Sequence, residues 1–377
     1  MSTLPALGKL PNPFVRPDGS VISPEQWWEE RKALRRHVVE LEFGALPPRP
    51  DRVVVEPLTD SPVNRFYRLQ LVCGERTHCM TLHVNLPGGS APRPYPVLLT
   101  GDGCFAYCND EVVKEANERG YAVVRFNRLE LAADRPTPRS GGLYDVFPAY
   151  TDFTAIAAWA WGYSAVIDAL EQLPMRDTAH IGATGHSRGG KTVLLAAACD
   201  ERIRYVCPNG SGTHGCALYR YVLTDGEGAA PGAPNRSERL SDLIAHFPHW
   251  ISPALHDMAG REDTLPYDMH YFGALIAPRY YFQTEGLQDL WANPPGSYLG
   301  LAAVRACYAY LGCEEHVGCR FRQGAHAQKP DDFAAFLTFM DRARAGLDRA
   351  PEHVISPFPD LHPEFQDDLS CPYFQAK

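Results

Sequence analysis

Nowhere in the 377 residues does an apolar run approach the ~18 residues needed to cross a bilayer. The opening stretch MSTLPALGKLPNPF also lacks the apolar core of about 7–15 residues that a secretory leader carries. Lys/Arg-rich runs are missing. In EERKALRRH (29–37) the basic residues alternate with acids and apolar positions, as on a solvated helix face. The net charge of −9 argues against a phosphate-backbone partner, which would need a basic footprint. There is no internal repeat and no low-complexity tract. The G-x-G-x-x-G fingerprint follows no early strand, which removes a dehydrogenase. The cysteines are 11, an odd number, and they are scattered. Cys104 and Cys108 of CFAYC have no second pair to complete a zinc site, so reduced core or loop thiols are expected. These absences predict a soluble, cytoplasmic protein with no nucleic-acid or membrane partner and no metal or cofactor. A chain that had already shed a leader would read the same way.

What is present is ordinary globular material, 45% hydrophobic and 21% charged, enough for one large α/β domain. SPEQWWEERKALRRHVVELEFG reads as a helix. Ser23 is the N-cap, Pro24 the first helical residue, Gln26 the partner in a capping box, and Gly44 the stop. Strand-like segments follow at 52–57, 66–73 and 78–87, consistent with an antiparallel run. From Tyr95 short apolar runs (95–100, 121–126, 179–184, 202–207, 278–284) alternate with helical stretches (109–119, 151–174, 188–200, 297–312, and from 331). That alternation predicts a parallel sheet covered on both faces. The whole chain, 1–377, reads as one α/β domain. Residues 1–90 supply an N-terminal helix and antiparallel strands, and 208–275 form an inserted, cap-like segment.

Gly185-His186-Ser187-Arg188-Gly189 fits G-x-S-x-G, with the apolar run AHIGAT before it and the helical RGGKTVLLAAACD after it. Strand, turn and helix are the setting that a nucleophile elbow requires. A serine needs a base that is itself held by an acid, and in such folds the chain order is serine, acid, histidine. His326 stands in the right place, in a loop between the strand-like CRFRQ and the last helix. Glu285 and Asp289, after PRYYFQT, are the two candidate acids. Lys191 lies one helical turn beyond Ser187, where a lysine opposes the helix dipole unless something anionic or hydroxyl-rich offsets it. Arg188 is beside the nucleophile, within reach of an oxyanion or a substrate carboxylate.

TGHSRGGK resembles the elbow of the glucuronoyl esterases, carbohydrate esterases of the α/β-hydrolase superfamily. The likeness extends to the opening LPNPFVRPDGSVISPEQWWEERKALRRHVVELEFGALPPRP, to WAWGYSAVIDALE (159–171), to LPYDMHYFGALIAPR (265–279), and to DLW (289–291) followed by GAH (324–326). The resemblance implies an α/β-hydrolase fold and cleavage of an ester between a glucuronic acid carboxyl and an alcohol. It implies Ser187 as nucleophile, His326 as base, Arg188 as oxyanion-side donor, Lys191 as donor to sugar hydroxyls and Trp291 as a sugar-facing wall. It also favours Asp289 over Glu285, because the family's other acid position here reads PNGSG, without a glutamate. The chain departs from the family at Leu218-Tyr219-Arg220, where Cys-Trp-Arg is common. The sugar-contacting glutamate of fungal members has no counterpart visible in the sequence, and HFPHW (246–250) stands in that region. The rival readings are an acetyl-sugar esterase, a general carboxylesterase, or a carbohydrate-binding relative without chemistry.

Overall fold

The computed structural model describes residues 6–89, 93–173 and 176–366. Outside them lie residues 1–5 of the opening stretch and Cys371. The described elements run α1 (Pro24–Phe43), β1 (Arg52–Pro57), β2 (Asn64–Cys73), β3 (Arg76–Asn85), β4 (Tyr95–Thr100), α2 (Asp110–Glu118), β5 (Ala122–Phe126), α3 (Leu143–Val146) and α4 (Ala155–Leu170). Then come β6 (Arg176–His186), α5 (Arg188–Cys199), β7 (Ile203–Asn209), α6 (Leu240–His246), α7 (His270–Ile276), β8 (Tyr280–Gly286), α8 (Pro294–Tyr310), β9 (Val317–Arg322) and α9 (Pro330–Arg344).

The strands form one nine-stranded sheet in the order β1-β2-β3-β5-β4-β6-β7-β8-β9. β1, β2, β3 and β5 pair antiparallel in sequence. From β5 through β4 to β9 every pairing is parallel. β4 is buried along its whole length, as a strand covered on both faces must be. Its residues alternate between two cores. Val97 and Leu99 join the one built with α1, α4, α5, α7 and α8, while Leu98 joins the one built with α2 and α9. This is the covered parallel sheet expected from the alternating pattern and the α/β-hydrolase architecture that the resemblance implies, with the antiparallel strands extending one edge.

Local signals set the helix ends. Ser23 Oγ accepts from Gln26 N–H while Gln26 Oε1 accepts from Ser23 N–H, closing the capping box of α1. α4 starts at Ala155 rather than at 151 because Thr154 caps it, accepting from Ala157 N–H at 3.2 Å.

The segment read as 208–275 has different limits. Pro208 and Asn209 complete β7, and His270 onward forms α7. The seven residues HYFGALI are buried on all sides, so no polar face marks the helix in the sequence. What remains, 210–269, holds α6 and short 3-10 turns, and it is tied to α1 by Tyr219 Oη donating to Glu42 at 2.6 Å. No disulfide joins any two of the ten cysteines among the described residues. No helix among the described residues is long and apolar enough to cross a membrane.

Candidate active site

β6 ends at His186, and the next residue, Ser187, turns the chain into α5 with φ 56° and ψ −119°. A non-glycine residue in this region is strained and persists only where its surroundings over-determine it. They do so here. Ser187 N–H donates to Asn209 O at 2.8 Å, and Ser187 O accepts from Lys191 N–H at 3.1 Å. The flanking glycines are steric necessities. A Cβ at Gly185 would lie 2.4 Å from Gly189 O, and one at Gly189 would lie 2.5 Å from both carboxylate oxygens of Asp102. Asp102, just past β4, accepts from His186 N–H at 2.8 Å and forms a buried ion pair with Arg128. The elbow therefore rests on a carboxylate that the sequence did not reveal.

Asp289 lies three residues beyond β8, and His326 four beyond β9. Both come from carboxyl ends of parallel strands, the edge where open α/β sheets build their sites. His326 Nδ1 is 2.5 Å from Asp289 Oδ2. A carboxylate only accepts, so Nδ1 carries the proton and Nε2 is left for a second partner. His326 is 42% exposed at its side chain and Asp289 only 5%. The His326 ring packs 4.4 Å, centroid to centroid, from His186, the residue before Ser187.

Glu285, the other candidate acid, is fully buried in β8. The nearby Ser297 hydroxyl donates to Ala292 O, and neither Glu285 oxygen has a hydrogen-bond partner among the described residues. Burial pushes its carboxyl well above the usual range, and the charge of Asp289 adds to the effect. The structure thus brings Asp289, and not Glu285, to the histidine.

Arg188 donates through Nη1 to Asp134, and its guanidinium lies 4.6 Å from the ring centre of Trp250 and 5.7 Å from that of Phe247. Those two rings stack 4.0 Å apart with nearly parallel planes. Asp134 also accepts from His249 Nε2 and Trp250 Nε1, both at 2.8 Å. Burial alone would raise its carboxyl, but the hydrogen bonds from His249 and Arg188 hold it at about 2.

Lys191 is 3% exposed at its side chain. Its Nζ donates to Ser211 O at 2.6 Å and to Thr213 O, and lies 3.5 Å from Glu238 Oε2. Burial lowers its pKa, and Glu238 counteracts this. The other Glu238 oxygen accepts from Trp291 Nε1 at 3.2 Å. Trp291 is half-buried, with the Arg236 guanidinium 4.9 Å from its ring centre. Lys191 and Trp291, 100 positions apart in numbering, thus meet on one carboxylate.

A family model described as "Glucuronyl esterase, fungi" matches residues 69–312. The 4-O-methyl-glucuronoyl methylesterase of Hypocrea jecorina is 30% identical over 335 residues, covering 86% of this chain and 67% of its own length. That of Schizophyllum commune is 28% identical, covering 92% and 85%. A carbohydrate esterase family 15 glucuronoyl esterase from Caldicellulosiruptor kristjansonii superposes with a TM-score of 0.82 at 26% identity, covering 98% of this chain and 97% of its own. This chain belongs to the glucuronyl esterase family.

In this chain the ammonium of Lys191 is not the free donor that the sequence suggested. All three of its hydrogens have protein acceptors, so the offset to the helix dipole comes from two carbonyls and Glu238. Glu238 itself went unseen, because RSERL (236–240) has no pattern that distinguishes it from a solvated loop acid. HFPHW carries no carboxylate to the sugar side; it supplies the aromatic platform and the donors around Asp134 and Arg188. At Leu218-Tyr219-Arg220 the arginine is fully buried against Asp268, at 3.2 Å.

Proposed function

We propose that this chain hydrolyses carboxylic esters of uronic-acid sugars, glucuronoyl esters foremost, through an acyl-enzyme on Ser187. Ser187 Oγ attacks the ester carbonyl while His326 Nε2 takes the hydroxyl proton, and Asp289 holds the imidazole in that tautomer. The tetrahedral oxyanion is met by N–H groups at the start of α5 and by the guanidinium of Arg188. When the intermediate collapses, the C–O bond to the alcohol breaks and His326 returns its proton to the leaving oxygen. Water then attacks the acyl carbon by the same route, giving the free uronate and restoring Ser187.

The observation that carries this reading is the 2.5 Å contact between His326 Nδ1 and Asp289, with the His326 ring packed on His186, the residue before a serine held at φ 56°. The sugar end rests on Glu238, a buried acceptor for hydroxyl donors, and on the Trp291 wall next to it. The names of the relatives, 4-O-methyl-glucuronoyl methylesterases, support the same substrate class.

The deciding measurement is hydrolysis of methyl or benzyl glucuronate beside 4-nitrophenyl acetate. A higher kcat/KM on the glucuronate ester is the expected result. Preference for acetate would favour an acetyl or general esterase, and inactivity on both would leave a binding protein.

A further inference from the structure

We propose that Asp134 is a positioning residue for the reaction: it fixes the guanidinium of Arg188 so that its remaining donors face the oxyanion. This rests on the reading of Arg188 given above.

Three observations carry it. First, Asp134 gathers donors from three separate side chains, Arg188 Nη1, His249 Nε2 and Trp250 Nε1. A carboxylate has about four lone-pair directions, so with three used on rigid or ring-borne donors it cannot swing away. Second, the guanidinium is held from its face as well as from its edge. Trp250, 4.6 Å away, is stacked in turn on Phe247, and Trp250 O accepts from the buried His214 Nε2 at 3.1 Å. Third, Arg188 makes no other side-chain hydrogen bond among those described, and a third of its side chain is open to solvent. One nitrogen is anchored, and the rest of the fork is left for a ligand.

The consequence is differential. In the resting enzyme the plane of Arg188 is already set, so stabilising a new negative charge requires no reorganisation. A lone arginine beside the nucleophile would have to give up rotamer freedom during the reaction. The segment 247–250 thus acts on Arg188, across Asp134, and need not touch the sugar. Against burial, the hydrogen bonds from His249 and Arg188 hold the Asp134 carboxyl at about 2, so above that it remains an anion able to hold the guanidinium.

The test is a double-mutant cycle with Asp134→Asn and Arg188→Ala, assayed on methyl glucuronate and 4-nitrophenyl acetate. Arg188→Ala should lower kcat by about 10²–10³-fold, the usual cost of one oxyanion donor. Asp134→Asn should lower kcat by about 10–100-fold on both esters with KM little changed, as a misplaced group does. In the Arg188→Ala background it should cost nothing more. If Asp134→Asn keeps the wild-type kcat, or loses as much again without Arg188, the inference fails while Arg188 keeps its role. If Arg188→Ala is itself fully active, the reading of Arg188 falls and the inference with it. Should Asp134→Asn not fold, Trp250→Phe removes one donor and keeps the ring. It should show the same kcat-only loss, about 2–5-fold at the scale of one hydrogen bond, and none in the Arg188→Ala background. Equal loss in both backgrounds would overturn the proposal.

Discussion

Asp289 and His326 approach to 2.5 Å across 37 residues of chain, whereas Glu285, four residues before Asp289, faces the interior with no hydrogen-bond partner among the described residues. Asp289→Asn should therefore reduce kcat by about 10³–10⁴-fold, because the imidazole loses the acceptor that sets its tautomer. Glu285 is already pushed toward its neutral form by burial, so the isosteric Glu285→Gln should stay within about tenfold of wild type. Steady-state kinetics of both variants on one glucuronate ester checks this. The reverse order would move the acid role to Glu285.

Ser187→Ala should abolish turnover, with a loss on the order of 10⁶-fold in kcat. The fold should persist, since Ser187 is held through its backbone by Asn209 and Lys191 and its side chain caps nothing in α5. A circular-dichroism melt alongside the assay separates the two effects. Residual activity within about tenfold of wild type would remove Ser187 from the mechanism.

Lys191→Ala leaves the buried Glu238 carboxylate without its counter-charge, held by Trp291 Nε1 alone, and two carbonyls without donors. Removing one partner of a buried pair costs about 3–5 kcal/mol, so urea unfolding should show a loss of that size. Activity should fall on glucuronate and acetate esters alike, because the 211–213 loop beside the elbow loosens. Replacing both charges, in Lys191→Met with Glu238→Gln, should recover part of the stability. If Lys191→Ala unfolds like wild type and weakens only the glucuronate ester, the lysine is a sugar donor after all.

His186 and His270 are buried, and burial, the largest cause, takes each down to about 3. For His186 the neighbouring His326, Arg322 and Arg128 lower it further, against a hydrogen bond from its Nδ1 to Asn209 Oδ1 at 2.5 Å. Below the unfolded value of 6.5 the unfolded chain takes up protons that the folded one refuses. Stability should therefore be full above about pH 6.5 and fall as pH drops toward 3, at up to about 1.4 kcal/mol per pH unit for each histidine. Between about pH 6.5 and 5, above the carboxylate range, His270→Phe should flatten the slope in urea titrations. An unchanged slope would show that His270 carries no such coupling.

The signals that the sequence held by itself were local ones. Strand AHIGAT, serine and helix RGGKTVLLAAACD lie within two dozen residues, and the strain of the turn demands the two glycines, so the elbow could be read directly. The capping box of α1 and the alternating strands and helices were legible for the same reason, because periodicity and caps act over one or two turns. The order of serine, acid and histidine narrowed the acid to two carboxylates. The resemblance favoured Asp289, but the physical reason for the choice is tertiary. β8 turns Glu285 inward, and only the loop after it reaches the loop after β9. Lys191, Glu238 and Trp291 form one cluster, and Arg188, Asp134 and His249 another, from segments separated by about fifty to more than a hundred residues. No local pattern encodes such meetings. A buried charge must find an opposite charge or a carbonyl, but which one it finds depends on how the loops close over the sheet.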